Sequence, residues 1–299
     1  MRKIFMTLLL AMPFALASAQ QVIRLYDGVA PGSEGVQDNE RVNRDANGRI
    51  QTISGVVTPS ITVFLPEASK ATGTAVILCS GGGLMSHSWG SDVLNMAAWL
   101  NERGIAAIGL KYRTRVMGGM PGAHGGMGLS AEVYEFDKLV KSNANPDTSE
   151  GGQKNIDNAI ADALRAMEIV RSHAGEWHID VNKIGYLGFS AGGGVGLGAV
   201  VRADDSHRAA FMATIYGPSL IDVAVPANAP KLFIATRGNH HNVAAGLLSL
   251  YIDWKKAGGN AEMHLYDDGT GPFGSDDTGN TCGTWRESFY RWLCFNHLN

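Results

Sequence analysis

The stretch Gly188-Phe189-Ser190-Ala191-Gly192 sets one serine between small residues. A serine hydroxyl is a weak nucleophile until a base comes within hydrogen-bond reach. Where Gly-x-Ser-x-Gly follows a strand and opens a helix, the tight turn lifts Oγ clear of the sheet edge. Lys183 to Gly188 reads as a strand here, and Ala191 to Arg202 as a helix rich in small residues. The expected chemistry is acyl transfer through Ser190, near the positive end of the following helix. The N–H of Ala191 would point at the developing oxyanion.

A second glycine run, Ser80-Gly81-Gly82-Gly83, follows the apolar segment Thr74 to Cys79. Gly82 and Gly83 are the expected further donors to the oxyanion. Either run alone fits an ordinary tight turn between a strand and a helix. The two together, in this order, point to one site.

These residues need elements to position them. Ile61 to Leu65, Ile105 to Tyr112, Phe211 to Tyr216, Lys231 to Thr236 and Glu262 to Tyr266 read as strands. Val93 to Arg103, Ile156 to Ala174, Val243 to Lys256 and Thr284 to Phe295 read as helices, the first closed by Gly104. Trp285, Phe289, Tyr290 and Trp292 mark the core side of the last helix, with Arg286 and Glu287 outside. Alternating strands and helices imply an α/β fold, an open and mostly parallel sheet in a single domain over 20–299. Residues 22 to 60 are mixed and polar. Residues 113–155, with 117-MGGMPGAHGGMG-128, are long for a compact domain and read as either an insertion over a site or a partly disordered stretch.

The first 19 residues carry Arg2 and Lys3, an apolar run, and Ala17-Ser18-Ala19. That is the pattern of a secretory signal peptide, so export to the periplasm or the medium is expected. No Cys follows the cleavage site and no later segment is apolar enough to span a bilayer, so no membrane anchor is expected. A formal net charge of −3 leaves no basic face for nucleic acid. In an oxidising compartment Cys282 and Cys294 are either a disulfide or two separate thiols, while Cys79 reads as a small core residue. No cofactor or metal is expected, because His240-His241 alone lacks the three or four ligands of a zinc site. The oligomeric state is not fixed by the sequence.

The segments 76-VILCSGGG-83, 105-IAAIGLKYR-113, 156-IDNAIADALRAMEIVRSHAGEWHIDVNKIGYLGFSAGG-193, 230-PKLFIATRG-238 and 248-LSLYIDWKKAGGNAEMHLY-266, with Trp285, carry a resemblance. The chain resembles the α/β-hydrolase fold, and within it the carbohydrate esterases that include acetyl xylan and feruloyl esterases. The resemblance implies hydrolysis of small-molecule or carbohydrate esters through an acyl-serine.

It also implies an acid after the strand at 231–236 and a His after the strand at 262–266, in the order Ser, acid, His. The family's Asp-Asp pair falls on Asn239 and His240, and its Gly-His-Gly-Phe-Gly turn falls on 269-GTGPFG-274, with Gly271 at the His position. Three arrangements stay open. In a rewired triad, His240 or His241 is the base. Asp267, Asp268, Asp276 or Asp277 orients it, or Asp222 does; His240 with Asp268 leads. Alternatively His87 or His124 is the base. In the third, the site is a pseudo-esterase that binds a sugar or acyl ligand without cleaving it. A triad is defined by geometry and roles, not by chain order.

Overall fold

The structure, a computed structural model, describes residues 21–115, 141–144, 146–240, 243–266, 273 and 281–299. The main sheet has eight strands in the order β1-β4-β7-β5-β8-β9-β10-β11. In chain order these are β1 (Gln21–Arg24), β4 (Ser60–Phe64), β5 (Ala75–Cys79), β7 (Ala106–Lys111), β8 (Ile184–Phe189), β9 (Phe211–Ile215), β10 (Lys231–Arg237) and β11 (Ala261–Tyr266). From β7 to β11 all neighbours run parallel, while β1 and β4 pair antiparallel at one edge. A small antiparallel sheet, β2 (Arg41–Arg44), β3 (Ile50–Ser54) and β6 (Ser86–His87), packs beside it.

Strand β5 shows why both faces must be covered. Ala75, Ile77 and Cys79 point into one core, and Val76 and Leu78 into the other. A strand apolar on both faces needs helices on both. Helices α2 (Glu150–Ser172), α3 (Ala191–Arg202) and α4 (Ala244–Lys256) cover the first face. Helices α1 (Met96–Glu102) and α5 (Trp285–Phe295) cover the second, through Met96, Leu100, Trp285, Phe289 and Trp292.

The expected strands and helices are present, with shifted ends. Helix α2 begins at Glu150 rather than 156, because the Ser149 hydroxyl caps it by accepting from Gly152 N–H at 3.1 Å. A π-helical stretch, Trp89–Asn95, precedes α1. Tyr290 is half-buried and edge-on to Trp99, at 6.3 Å between centroids. Much of the expected insertion, 116–140 and 145, lies outside the described residues, as does 1–20. No cysteine pair is bridged by a disulfide: Cys79 is buried in the sheet, and Cys282 Sγ lies 3.5 Å from Arg237 Nη2. Among the described residues no helix is long and apolar enough to cross a membrane.

One ion pair locks the sheet to α2. Arg113, after β7, donates from Nε and Nη2 to Asp162 Oδ1 at 3.1 and 2.8 Å, and both side chains are buried. The Arg113 N–H and the Tyr26 hydroxyl also donate to that carboxylate.

Candidate active site

Parallel strands of an open sheet bind ligands beyond their carboxyl ends. Strands β5, β8, β9 and β10 end in Ser80-Gly81-Gly82-Gly83, Ser190, Tyr216 and Arg237 to His240. The sheet therefore brings these four segments to one edge.

Ser190 has φ 48° and ψ −129°. This is a costly conformation for a residue with a Cβ, and such strain concentrates at functional sites. The turn is bonded on both sides. Ser190 N–H donates to Ile215 O at 3.0 Å, and Gly193 N–H donates to Ser190 O at 2.8 Å. A Cβ at Gly188 would lie 2.4 Å from Gly192 O, and one at Gly192 would lie 2.1 Å from Cys79 O. The two flanking glycines thus allow a backbone contact that no other residue permits. Leu84 and Tyr216, in the neighbouring loops, also have positive φ, 60° and 42°.

The loop after β5 lies against this turn. A Cβ at Gly81 would be 3.1 Å from Ser190 Cβ. Gly81 N–H is taken by Asp92 Oδ2 at 2.8 Å, so it is not an oxyanion donor. Gly82 and Gly83 follow at φ 133° and 63°, and among the described residues their N–H groups meet no protein acceptor. Ala191 N–H opens α3, where helix N–H groups have no intrahelical partner.

His87 is not placed as a base for Ser190. It is wholly buried, with Nδ1 2.8 Å from Ser80 Oγ and Nε2 2.8 Å from Tyr112 O. Burial pushes its pKa down to about 4, against a smaller upward effect of the bond to Tyr112. Ser80 and His87 look like a nucleophile and base, but neither is reachable by substrate. Asp222 is exposed at the surface, where it binds Lys141 at 2.9 Å and Asn143 at 3.2 Å; these bonds lower its pKa.

His240 is half-buried in the loop after β10. Its ring stacks on Tyr216, with centroids 6.1 Å apart and planes 15° apart. Tyr216 also packs 6.4 Å from Phe189, the residue before Ser190, and edge-on to Phe273 at 5.2 Å. Tyr216, Arg237, His240 and Phe273 line a cavity of about 280 Å³. Among the described residues, no side chain hydrogen-bonds Ser190 Oγ. Asp268, His241, His124, Asp267, Asp276, Asp277 and Gly271 lie outside the described residues.

Tyr216 and Arg237 were not evident as pocket residues from sequence, where they read as the end of a strand and the start of a loop. Their position at the carboxyl ends of adjacent parallel strands is the only signal that could have marked them.

A family model described as the alpha/beta hydrolase fold matches residues 150–262. A search of the curated proteins found none that match this chain. Among solved structures, an acetyl ester-xyloside bifunctional hydrolase from Caldicellulosiruptor lactoaceticus is 19% identical with a TM-score of 0.61. That match covers 93% of this chain and 97% of the other. A propionate-bound esterase from Thermogutta terrifontis is 18% identical with a TM-score of 0.59, covering 87% and 95%. A carboxylesterase from Lactobacillus plantarum is 15% identical with a TM-score of 0.57, covering 88% and 98%. The sequence match and the backbone matches agree with the strand order and the strained serine turn: the chain has the α/β-hydrolase fold.

Proposed function

We propose that this protein is an exported serine hydrolase that cleaves small carboxylic esters, carbohydrate esters among them, through an acyl-Ser190 intermediate. The observation that carries the reading is the strained backbone of Ser190, pressed against the glycine loop after β5. Backbone strain of this kind persists only where the surrounding structure over-determines it, and it clusters at active sites. The solved structures with similar backbones include enzymes named for acetyl-ester hydrolysis and carboxylester cleavage.

In the proposed reaction His240 accepts the Ser190 proton as Oγ attacks the ester carbonyl. The tetrahedral oxyanion is held by the N–H groups of Ala191, Gly82 and Gly83. The intermediate collapses, the ester C–O bond breaks, and His240 returns the proton to the departing alcohol. Water then hydrolyses the acyl-serine by the same two steps. Asp268 orients the imidazole. Tyr216 and Phe273 form the wall of the substrate cavity.

A second reading, a pseudo-esterase that binds a sugar or acyl ligand, is favoured by one observation. Ser190 Oγ has no hydrogen-bonded base among the described residues. Catalytic hydrogen bonds are often looser in the free enzyme, so the hydrolase reading stands on the serine turn. Incubation with a small reactive organophosphonate, followed by peptide mass spectrometry, separates the two. A stoichiometric adduct on Ser190 supports the hydrolase; an unmodified Ser190 supports the binding protein.

A further inference from the structure

We propose that His87 is a positioning residue for the oxyanion hole, holding the glycine loop 80–83 against Ser190 through Ser80 and Tyr112. The inference rests on the serine-hydrolase reading, in which Gly82 and Gly83 are oxyanion donors.

Three hydrogen bonds close a ring. Ser80 Oγ meets His87 Nδ1 at 2.8 Å, His87 Nε2 meets Tyr112 O at 2.8 Å, and the Tyr112 hydroxyl donates to Ser80 O at 2.7 Å. The roles follow from chemistry. A carbonyl only accepts, so Nε2 carries the proton, and Nδ1 accepts from the Ser80 hydroxyl. Ser80 is thereby held twice, by its side chain and by its carbonyl. Ser80, His87 and Tyr112 are all wholly buried, where an unmet polar group is costly. An apolar side chain would fill the same space without any such bond, so what the imidazole adds is geometry.

The ring also spans two sheets. His87 lies on β6 and pairs with Ile53 of the small sheet, while Ser80 and Tyr112 follow β5 and β7 of the main sheet. On the far side of Ser80, Asp92 holds Gly81 N–H at 2.8 Å. Ser80 and Gly81 are therefore both fixed, and Gly82 and Gly83 leave from a fixed base. Gly82 O in turn accepts from Met85 and Ser86 N–H at 3.0 and 3.1 Å, which shapes the return of the loop toward His87.

The test uses three variants and two readouts. His87→Gln keeps a donor toward Tyr112 but loses the acceptor for Ser80. His87→Asn keeps an acceptor near the Nδ1 position. Ser80→Ala removes the other partner. The expectation is a kcat fall of about 10²-fold for His87→Gln and for Ser80→Ala, as when an oxyanion donor is displaced, with KM little changed. The double variant should be no slower than either single one, and His87→Asn should keep most of the rate. Unchanged kcat with only a lower melting temperature would overturn the proposal. The second readout needs no turnover. In the Ser190→Ala background, the backbone amide resonances of Gly82 and Gly83 should move together in His87→Gln and Ser80→Ala, and stay near their starting positions in His87→Asn. Unmoved glycine amides would overturn the positioning role. An inactive wild type with moving amides would instead overturn the hydrolase reading and leave the coupling established.

Discussion

A side chain on Gly192 would place its first carbon 2.1 Å from the carbonyl oxygen of Cys79. The contact is backbone against backbone, between the first turn of α3 and the end of β5. It sets how closely the serine turn approaches the glycine loop. Gly192→Ala therefore has no rotamer that relieves the clash, and one strand or helix must shift. Overpacking of this kind costs typically about 1–3 kcal/mol. Urea denaturation should show that loss, and esterase activity should fall further than stability, because the shift moves Ala191 and Gly82 apart.

The Arg113–Asp162 pair gives a prediction about the scaffold alone. Asp162 lies wholly inside the protein and accepts from Arg113 and Tyr26. Asp162→Ala leaves a buried guanidinium without its counter-charge, a change worth about 3–5 kcal/mol. The loss should appear as a lower urea midpoint with an unchanged slope. A loss under 1 kcal/mol would mean that water replaces the carboxylate.

His207 gives a pH dependence. Its ring nitrogens lie 2.6 Å from Glu168 Oε1 on α2 and 2.6 Å from Asp204 Oδ1. Burial lowers the His207 pKa, but the bonds to Glu168 and Asp204 outweigh it and the net shift is upward. A raised histidine stabilises the fold below its unfolded value of about 6.5, and the stabilisation is lost as pH rises through the folded value. The Asp204 carboxyl is held low by Ser206 and His207, and the Glu168 carboxyl is held low by Arg165 and His207 against the opposing effect of burial. Their share is present above the ordinary carboxylate range and is lost on acidification. His207→Gln should thus melt below the wild type at pH 5.5, with the gap closing by pH 8.5. Solvent screens the cluster, so the gap at pH 5.5 should be small and should shrink in high salt. An equal gap at both pH values would contradict the assignment.

Much of this scaffold was readable from one sequence. The helix after Ser190 has the expected bounds, Ala191 to Arg202, because the glycine turn fixes its start. The two-sided apolar pattern of β5 likewise required a covered parallel sheet. The small sheet was not readable. Strands β2 and β3 are short, and β2 carries exposed Arg41 and Arg44. The pairing of β3 with Ser86-His87 depends on a loop that folds back from β5. His87 was legible only as an alternative base, since its burial comes from Ser80 and Tyr112, which follow two different strands. The stacking of His240 on Tyr216 was hidden for the same reason: strand register, not local pattern, brings the two rings together.

The choice of base is testable by substitution. If His240 takes the Ser190 proton, His240→Ala should lower kcat to nearly the level of Ser190→Ala, because members of a triad act as a unit. His87→Asn should stay far above that level. A His240→Ala enzyme with near wild-type kcat would move the role to another histidine, and His241 and His124 would be replaced next.

The proposed chemistry requires that Ser190 be an activated nucleophile. It is read by hydrolysis of a small activated acetyl ester by the purified protein beside Ser190→Ala, at equal concentration and pH 7.5. The wild type should be faster by at least about 10³-fold in kcat/KM, since loss of the nucleophile leaves only binding and oxyanion contributions. Equal, slow rates for the two proteins would contradict it.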